Sequence, residues 1–380
     1  MKYFLLVLLA LQIISCIAYS DYSVMFLGID PSSINRAIGG DAVGVVNIWH
    51  RNALTSYYNP AIPAFHDGVS YGFTHTPWLK TADINNIYYN GGLATIGYMG
   101  IAVTMPAPVS GNIDGLNIDY GIQEITNEVG VPVASYRSYE YATPYGLAIN
   151  PIQTYRFITG NSVPDSSHFN MAVGFQTLSI KSKLAPYSIE GALRTSAKAN
   201  TTNIGLILQY HLDYEKISRL EAVYGLASFN VFDDKIGYGS ETQKDPVFSH
   251  VNHGFGISYS LLGENALKDK IPKEWLFFEN LMTLRGLTSF IYDDYDKEIS
   301  AFGVEVGFLD TFYYRMGIYN DNPDEKVENT HGYGINLHYK NILSLEYNHA
   351  TWDMGHLVND QESDDYNVSF DLDGIYHWFH

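Results

Sequence analysis

The side chains best suited to chemistry are the thirteen histidines. Six of them come late in the chain, at His331, His338, His349, His356, His377 and His380. Hydrolytic, metal or nucleotide chemistry would need a recognisable setting. Examples are a Gly-x-Ser-x-Gly elbow exposing a serine, a His-Glu-x-x-His helix face around zinc, or a glycine-rich loop cradling phosphate. None of these patterns occurs. His338 and His349 fall in strand-like stretches, where an imidazole facing a lumen or an interface is the simpler reading. The carboxylate clusters Asp293-Asp294-Tyr295-Asp296, Asp324-Glu325 and Glu362-Ser363-Asp364-Asp365 offer hard oxygen ligands to Ca²⁺. None has EF-hand spacing, so they read as solvated external loops. Glu305 and Arg315 are placed to pair across neighbouring strands, with Glu346 on the same kind of polar face. That arrangement reads as neutralisation of charge inside a lumen. No catalytic residue, metal or cofactor is expected.

The elements that would hold such residues begin after a leader. Residues 1–20 read as a secretory signal, with Lys2 as the positive start, an apolar run from Tyr3 to Ile14, and a cleavage site at Ala18-Tyr19-Ser20. A lipobox reading of Ile13-Ile14-Ser15-Cys16 is the alternative. Cys16 is the only cysteine, so after cleavage at Ser20 no disulfide, thiolate ligand or cysteine nucleophile remains. Beyond the leader no apolar run approaches the ~20 residues of a spanning helix. The chain is nonetheless 46% hydrophobic with 31 tyrosines, and its charged fraction of 17% is below the roughly 25% usual for soluble domains. Many aromatics, few charges and export together point to an outer-membrane β-barrel with aromatic girdles. A secreted, soluble all-β protein is the alternative. The net charge of −19 argues against nucleic acid as a partner.

Period-2 alternation predicts the strands. Phe302, Val304, Val306 and Phe308 oppose Ala301, Gly303, Glu305 and Gly307. Phe312, Tyr314, Met316 and Ile318 oppose Tyr313, Arg315, Gly317 and Tyr319. The same pattern recurs in 254–261, 203–213, 333–339 and 366–373. Connections alternate short and long: Leu309-Asp310-Thr311 and Lys340-Asn341 are short, while Asn320 to Thr330 and Met354 to Asp365 are long. Short periplasmic turns and long external loops are the habit of outer-membrane barrels. About fourteen antiparallel strands are expected over residues 67–380, in contact with outer-membrane lipid. Pro106 to Val133 reads as an irregular insertion, and Pro151 to His168 as a long connection with a short helix around Thr154 to Ile158. Leu262 to Glu274 is long for a periplasmic turn.

Residues 21–66 do not alternate and are read as a plug, or hatch, within the barrel. Arg36, Gly39 and Gly40 come first, the glycines allowing close approach of its backbone to the wall. Asn59, Pro60 and Ala61 form a rigid turn, with the Asn59 amide free to fix it. The order Arg36-Ala37-Ile38-Gly39-Gly40-Asp41-Ala42, then Tyr57-Tyr58-Asn59-Pro60-Ala61, then a barrel resembles the FadL superfamily of outer-membrane barrels, and within it the PorV/PorQ-like branch. Met171 to Ala185, Gly303 to Tyr319 and Tyr333 to Tyr347 carry the resemblance to the end of the chain. Two features depart from it: Asp41 replaces a small residue, and the terminal aromatic, Phe379, lies one place before the end. The resemblance implies an accessory or cargo-handling component of type IX protein secretion, with secreted proteins and secretion components as partners. The second reading is a FadL-like channel for long-chain fatty acids or other hydrophobic compounds. The third is a structural or adhesive surface barrel acting through its acidic loops. An apolar lumen beside Asn59-Pro60-Ala61 and a lateral opening in the wall would favour the channel.

Overall fold

Side-chain alternation in a closed sheet assigns one face to the inside and one to the outside. The protein, seen in a computed structural model, is described over residues 24–77, 87–110, 113–127, 129–160, 168–184, 196–214, 217–237, 244–262, 278–293, 298–321, 326–339, 342–352 and 360–372. The strands are β1 (Gly68–Pro77), β2 (Tyr88–Tyr98), β3 (Ile101–Pro106), β4 (Pro108–Ser110), β5 (Ile113–Asp114), β6 (Leu116–Thr126), β7 (Pro132–Ile149), β8 (Phe169–Lys183), β9 (Ala197–Tyr214) and β10 (Ser218–Phe229). They continue as β11 (Lys235–Ile236), β12 (Asp245–Pro246), β13 (His250–Leu262), β14 (Asn280–Asp293), β15 (Glu298–Phe308), β16 (Phe312–Asp321), β17 (Lys326–Tyr339), β18 (Leu343–Trp352) and β19 (Gln361–Phe370). The pairs β4–β5 and β11–β12 are small separate ribbons.

All other strands form one antiparallel ring. Neighbours in sequence pair with each other, and β1 closes the ring by pairing with both β2 and β19. β3 and β6 share one place in the wall, giving a closed barrel of 14 strands. Closure removes sheet edges, which would otherwise carry unpaired backbone groups into lipid.

The apolar faces point outward. Phe302 and Phe308 are 53% and 51% exposed, and Phe312, Tyr314, Met316 and Ile318 beside them are exposed too. Arg315, Glu305 and Ser289 on the opposite face are almost fully buried. A soluble sandwich would reverse this. The exposed aromatic and aliphatic surface fits a bilayer, and the barrel is transmembrane.

Several boundaries differ from the sequence reading. The acidic run Glu362-Ser363-Asp364-Asp365 is not a loop but part of β19, with Ser363 and Asp365 facing inward and buried. Pro106 to Val133 is not wholly irregular, since it contains β6. The expected short helix runs from Pro151 to Thr159, started by the Asn150 side chain, which accepts from the Gln153 N–H at 3.1 Å, and ended at Gly160. The signal segment, Cys16, Asp324-Glu325, most of Leu262 to Glu274 and the C-terminal residues from 373 onward lie outside the described residues.

Candidate functional site inside the barrel

Residues 24–66 are packed against the inward faces of the strands, in short helical turns at Ser33–Ala37, Asp41–Gly44, Ala53–Tyr57 and Ile62–Phe65. Glycines of the wall make this possible. A methyl group on Gly303 would overlap the Ile38 carbonyl, and one on Gly317 would overlap Ile38 and the Gly39 amide. On other strands, Gly174 faces the Pro60–Ala61 peptide, Gly205 faces Asn59, and Gly225 faces the Val45 carbonyl. Along these strands the polar, small face of the alternation is therefore a docking surface for the inner backbone. On the other side of the contact, Gly39 and Gly40 adopt φ of 111° and 84°, values that side-chain-bearing residues rarely take. Gly39 then rests between the Ala301 side chain and the carbonyls of Phe302 and Ile318.

Asn59 and Pro60 anchor the other end. The Asn59 Oδ1 accepts from the Ala61 N–H at 3.0 Å, which fixes the turn. Its Nδ2 donates to the Val45 carbonyl at 3.0 Å and to the Leu206 carbonyl of β9 at 3.2 Å. One buried amide thus joins two parts of the inner segment to the wall. In Asn59→Ala these three bonds are lost, leaving the Val45 carbonyl without this donor and the Ala61 N–H without this acceptor, at a cost of about 1–3 kcal/mol. The expected result is a barrel that still forms but whose segment 24–66 is cut by an added protease at a much higher rate. Equal protection of variant and parent would contradict this role.

Arg36 lies with its guanidinium 4.6 Å from the Trp352 ring centroid and 5.8 Å from that of Tyr89, between β18 and β2. On the β14–β19 side of the lumen lies a charged cluster. Glu305 accepts from Arg315 Nε at 2.6 Å, from Arg285 Nη1, and pairs with His50 Nε2 at 2.8 Å. Glu346 lies 3.5 Å from His50 Nδ1. Arg315 Nη1 donates to Asn348 Oδ1 at 2.8 Å, and Asn348 Nδ2 to Asp365 Oδ1 at 2.8 Å. Asp365 Oδ2 accepts from the Ser33 backbone N–H at 2.7 Å. The chain of contacts runs from one end of the inner segment, through four wall strands, to its middle at His50. It holds the segment by charge-assisted bonds in a low-dielectric interior.

The opposite quadrant is mainly apolar, with Glu140, Ser182 and Gln176 as its buried polar members. Tyr89, Leu93, Leu116, Ile118, Ala142, Leu178 and Ile180 face inward from β2, β6, β7 and β8. Here one strand of the wall is interrupted. On the β2 side, Leu93 pairs with Pro106 and Gly91 with Leu116, so only Gly92 stands opposite the whole stretch 107–115. Gly92 donates its N–H to the Gly115 carbonyl at 2.9 Å and accepts from the Ala107 N–H at 3.0 Å, closing the neck of the insertion. The insertion leans outward, since Val109 lies over the outer side of Gly92 and the Tyr71 hydroxyl donates to the Pro108 carbonyl. On the β7 side, pairing stops at Thr104–Gly146 and resumes at Leu116–Ala142. Between them Pro106 and Pro144 stand at matching positions, and neither has an N–H to donate. The ladder is open there, beside the apolar quadrant.

Of the residues the sequence singled out, Glu305 and Arg315 are neighbours in register, and Glu346 joins them through His50. Arg36 and Gly39-Gly40 lie along the inner segment, away from Asn59-Pro60-Ala61. The sequence reading missed His50, Arg285 and Asp365, because their partners are 255, 20 and 332 positions away in the chain.

Fold, outer surface and filled lumen together define an outer-membrane-type β-barrel. No family model matches the sequence, and no curated protein does. Among solved structures, the chain is similar to the toluene transporter TodX of Pseudomonas putida, with a TM-score of 0.38, 11% identity, and 90% of this chain and 97% of that one covered. The CymD monoaromatic hydrocarbon channel aligns with a TM-score of 0.40 and 9% identity over 93% and 99% of the two chains. A FadL homologue of Pseudomonas aeruginosa aligns with a TM-score of 0.32 and 9% identity over 94% and 100%.

Proposed function

We propose that the chain is a FadL-like channel that takes hydrophobic small molecules across the outer membrane, with residues 24–66 as its hatch. The observation that carries this reading is the interrupted wall strand beside the apolar quadrant. On this reading a hydrophobic solute that reaches Leu93, Leu116 and Leu178 leaves for lipid between Pro106 and Pro144, where the wall lacks ladder bonds and Gly115, packed against Thr143 and Pro144, would have to move aside. There it would break no ladder bonds and would not have to enter water again. The hatch, held by the charged cluster on the far side, borders that path through Arg36, whose guanidinium lies 5.8 Å from the Tyr89 ring centroid. These features suit a small apolar solute better than the folded cargo of type IX secretion.

The test is a deletion strain compared with its parent and a complemented strain for uptake of labelled toluene and labelled long-chain fatty acid. The expected outcome is slower uptake of at least one of them at limiting concentration, restored by complementation. Unchanged uptake of both, with large exported proteins lost from the surface and retained in the periplasm, would replace the channel by the secretion role.

A further inference from the structure

The outer face of β7, β8 and β9 changes character sharply along its height. Leu147, Phe175 and Ile204 form one outward row in register, and Tyr145, Leu206 and Tyr210 belong to the same apolar band. Towards the external end the outward positions become Thr177 and Ser179 on β8, and Thr202 and Asn200 on β9. The next outward row is Tyr141, Lys181 and Lys198, also in register, with Tyr139 and Lys183 beyond it. Ile204 to Leu212 spans about 27 Å of strand, or about 21 Å of height at a ~40° tilt, close to the ~25 Å apolar band of such barrels. Lys181 and Lys198 therefore stand above the hydrocarbon, at the level of the outer-leaflet headgroups.

Two like charges directly opposite on neighbouring strands repel each other. Lys181 and Lys198 form such a pair, with Lys183 close by. Among the described residues, none of the three ammonium groups has a carboxylate within ion-pair distance. Arg137, next along β7, is by contrast already paired with Asp119. The ammonium groups of Lys181 and Lys183 lie 5.8 Å and 5.7 Å from the rings of Tyr141 and Tyr139, which are stacked on each other. On a chain of net charge −19, this is a concentrated basic and aromatic patch facing lipid.

We propose that this patch binds the phosphorylated sugar headgroup of an outer-leaflet glycolipid. Its phosphates would bridge Lys181, Lys183 and Lys198 as counter-charge, and the tyrosine rings and the Thr, Ser and Asn row would lie against the sugars. The site is on the outside of the wall and stands or falls independently of the channel reading.

Native mass spectrometry of the detergent-purified barrel with added bis-phosphorylated lipid A tests it. The comparison lipids are the same lipid A with both phosphates removed, and phosphatidylglycerol. The parent should retain bis-phosphorylated lipid A about tenfold better than either comparison lipid. The Lys181→Gln/Lys183→Gln/Lys198→Gln variant should lose that preference, and the triple arginine variant should keep it. Because all three side chains face outward, the glutamine variant should remain a folded barrel, seen as heat-dependent migration on a gel. Equal retention of lipid A with and without phosphates, or undiminished preference in the folded glutamine variant, overturns the proposal. Retention of phosphatidylglycerol equal to that of lipid A overturns the glycolipid assignment.

Discussion

Glu305→Ala should destabilise the barrel more than any other single change in the lumen. Its two carboxylate oxygens are shared among Arg315, Arg285 and His50, and all four side chains are buried. Removing the carboxylate leaves two guanidinium groups with no buried anion in direct contact, although Arg315 keeps Asn348. Breaking such a pair from one side costs about 3–5 kcal/mol, because the remaining charge stays desolvated. Glu346→Gln, whose side chain lies 3.5 Å from His50, should cost markedly less. The readout is the urea concentration at which the detergent-refolded barrel loses its heat-dependent migration. A midpoint for Glu305→Ala equal to that of Glu346→Gln would show that the cluster does not hold the lumen together.

The second large effect is expected from the wall glycines under the inner segment. Gly303 and Gly317 face each other on β15 and β16, and both meet the Ile38–Gly39 backbone. Main chain stands in the way on one side, and the strands cannot retreat without breaking their ladder. Gly303→Val therefore forces the inner segment off the wall rather than shifting a side chain. Overpacking of this kind costs about 1–3 kcal/mol or more. The barrel has its own ladder and should still close, while residues 34–40 lose their seat. The expected result in planar bilayers is a conductance well above that of the parent, along with protease cleavage within 24–66. A substitution at Gly286, with open space around it, is the control and should change neither property. A Gly303→Val barrel with the parent's conductance and protection would show that the inner segment is not seated there.

Much of this molecule was legible in the sequence, and the reason is geometric. Alternation depends only on neighbours two residues apart, so strands such as Phe312–Asp321 announce themselves. The Glu305–Arg315 pair was legible because the short connection Leu309-Asp310-Thr311 fixes the register of its hairpin. Asn59-Pro60 was legible because a turn is local. Charge misled where it overrode alternation: Asp365 reads as part of an acidic loop, yet it is the buried acceptor for Ser33 and Asn348. His50 and Arg285 needed a contact between distant segments that no local pattern encodes. The interruption at 107–115 was visible only as part of a longer irregular stretch, Pro106 to Val133, which also contains β6. That it occupies a single register position between β2 and β7 depended on pairings with both neighbours.

That last feature gives the most direct test of the channel. Replacing 107–115 by one threonine, together with Pro106→Val and Pro144→Val, would keep both flanking registers and give β3 and β6 a continuous ladder to β7. The protein should assemble as a heat-modifiable barrel with residues 24–66 protected from protease. If solutes leave through the wall, uptake of labelled toluene and fatty acid should fall to the level of the deletion strain. Uptake equal to that of the parent, by a variant present in the outer membrane at the parent's level, would contradict passage through the Pro106–Pro144 gap.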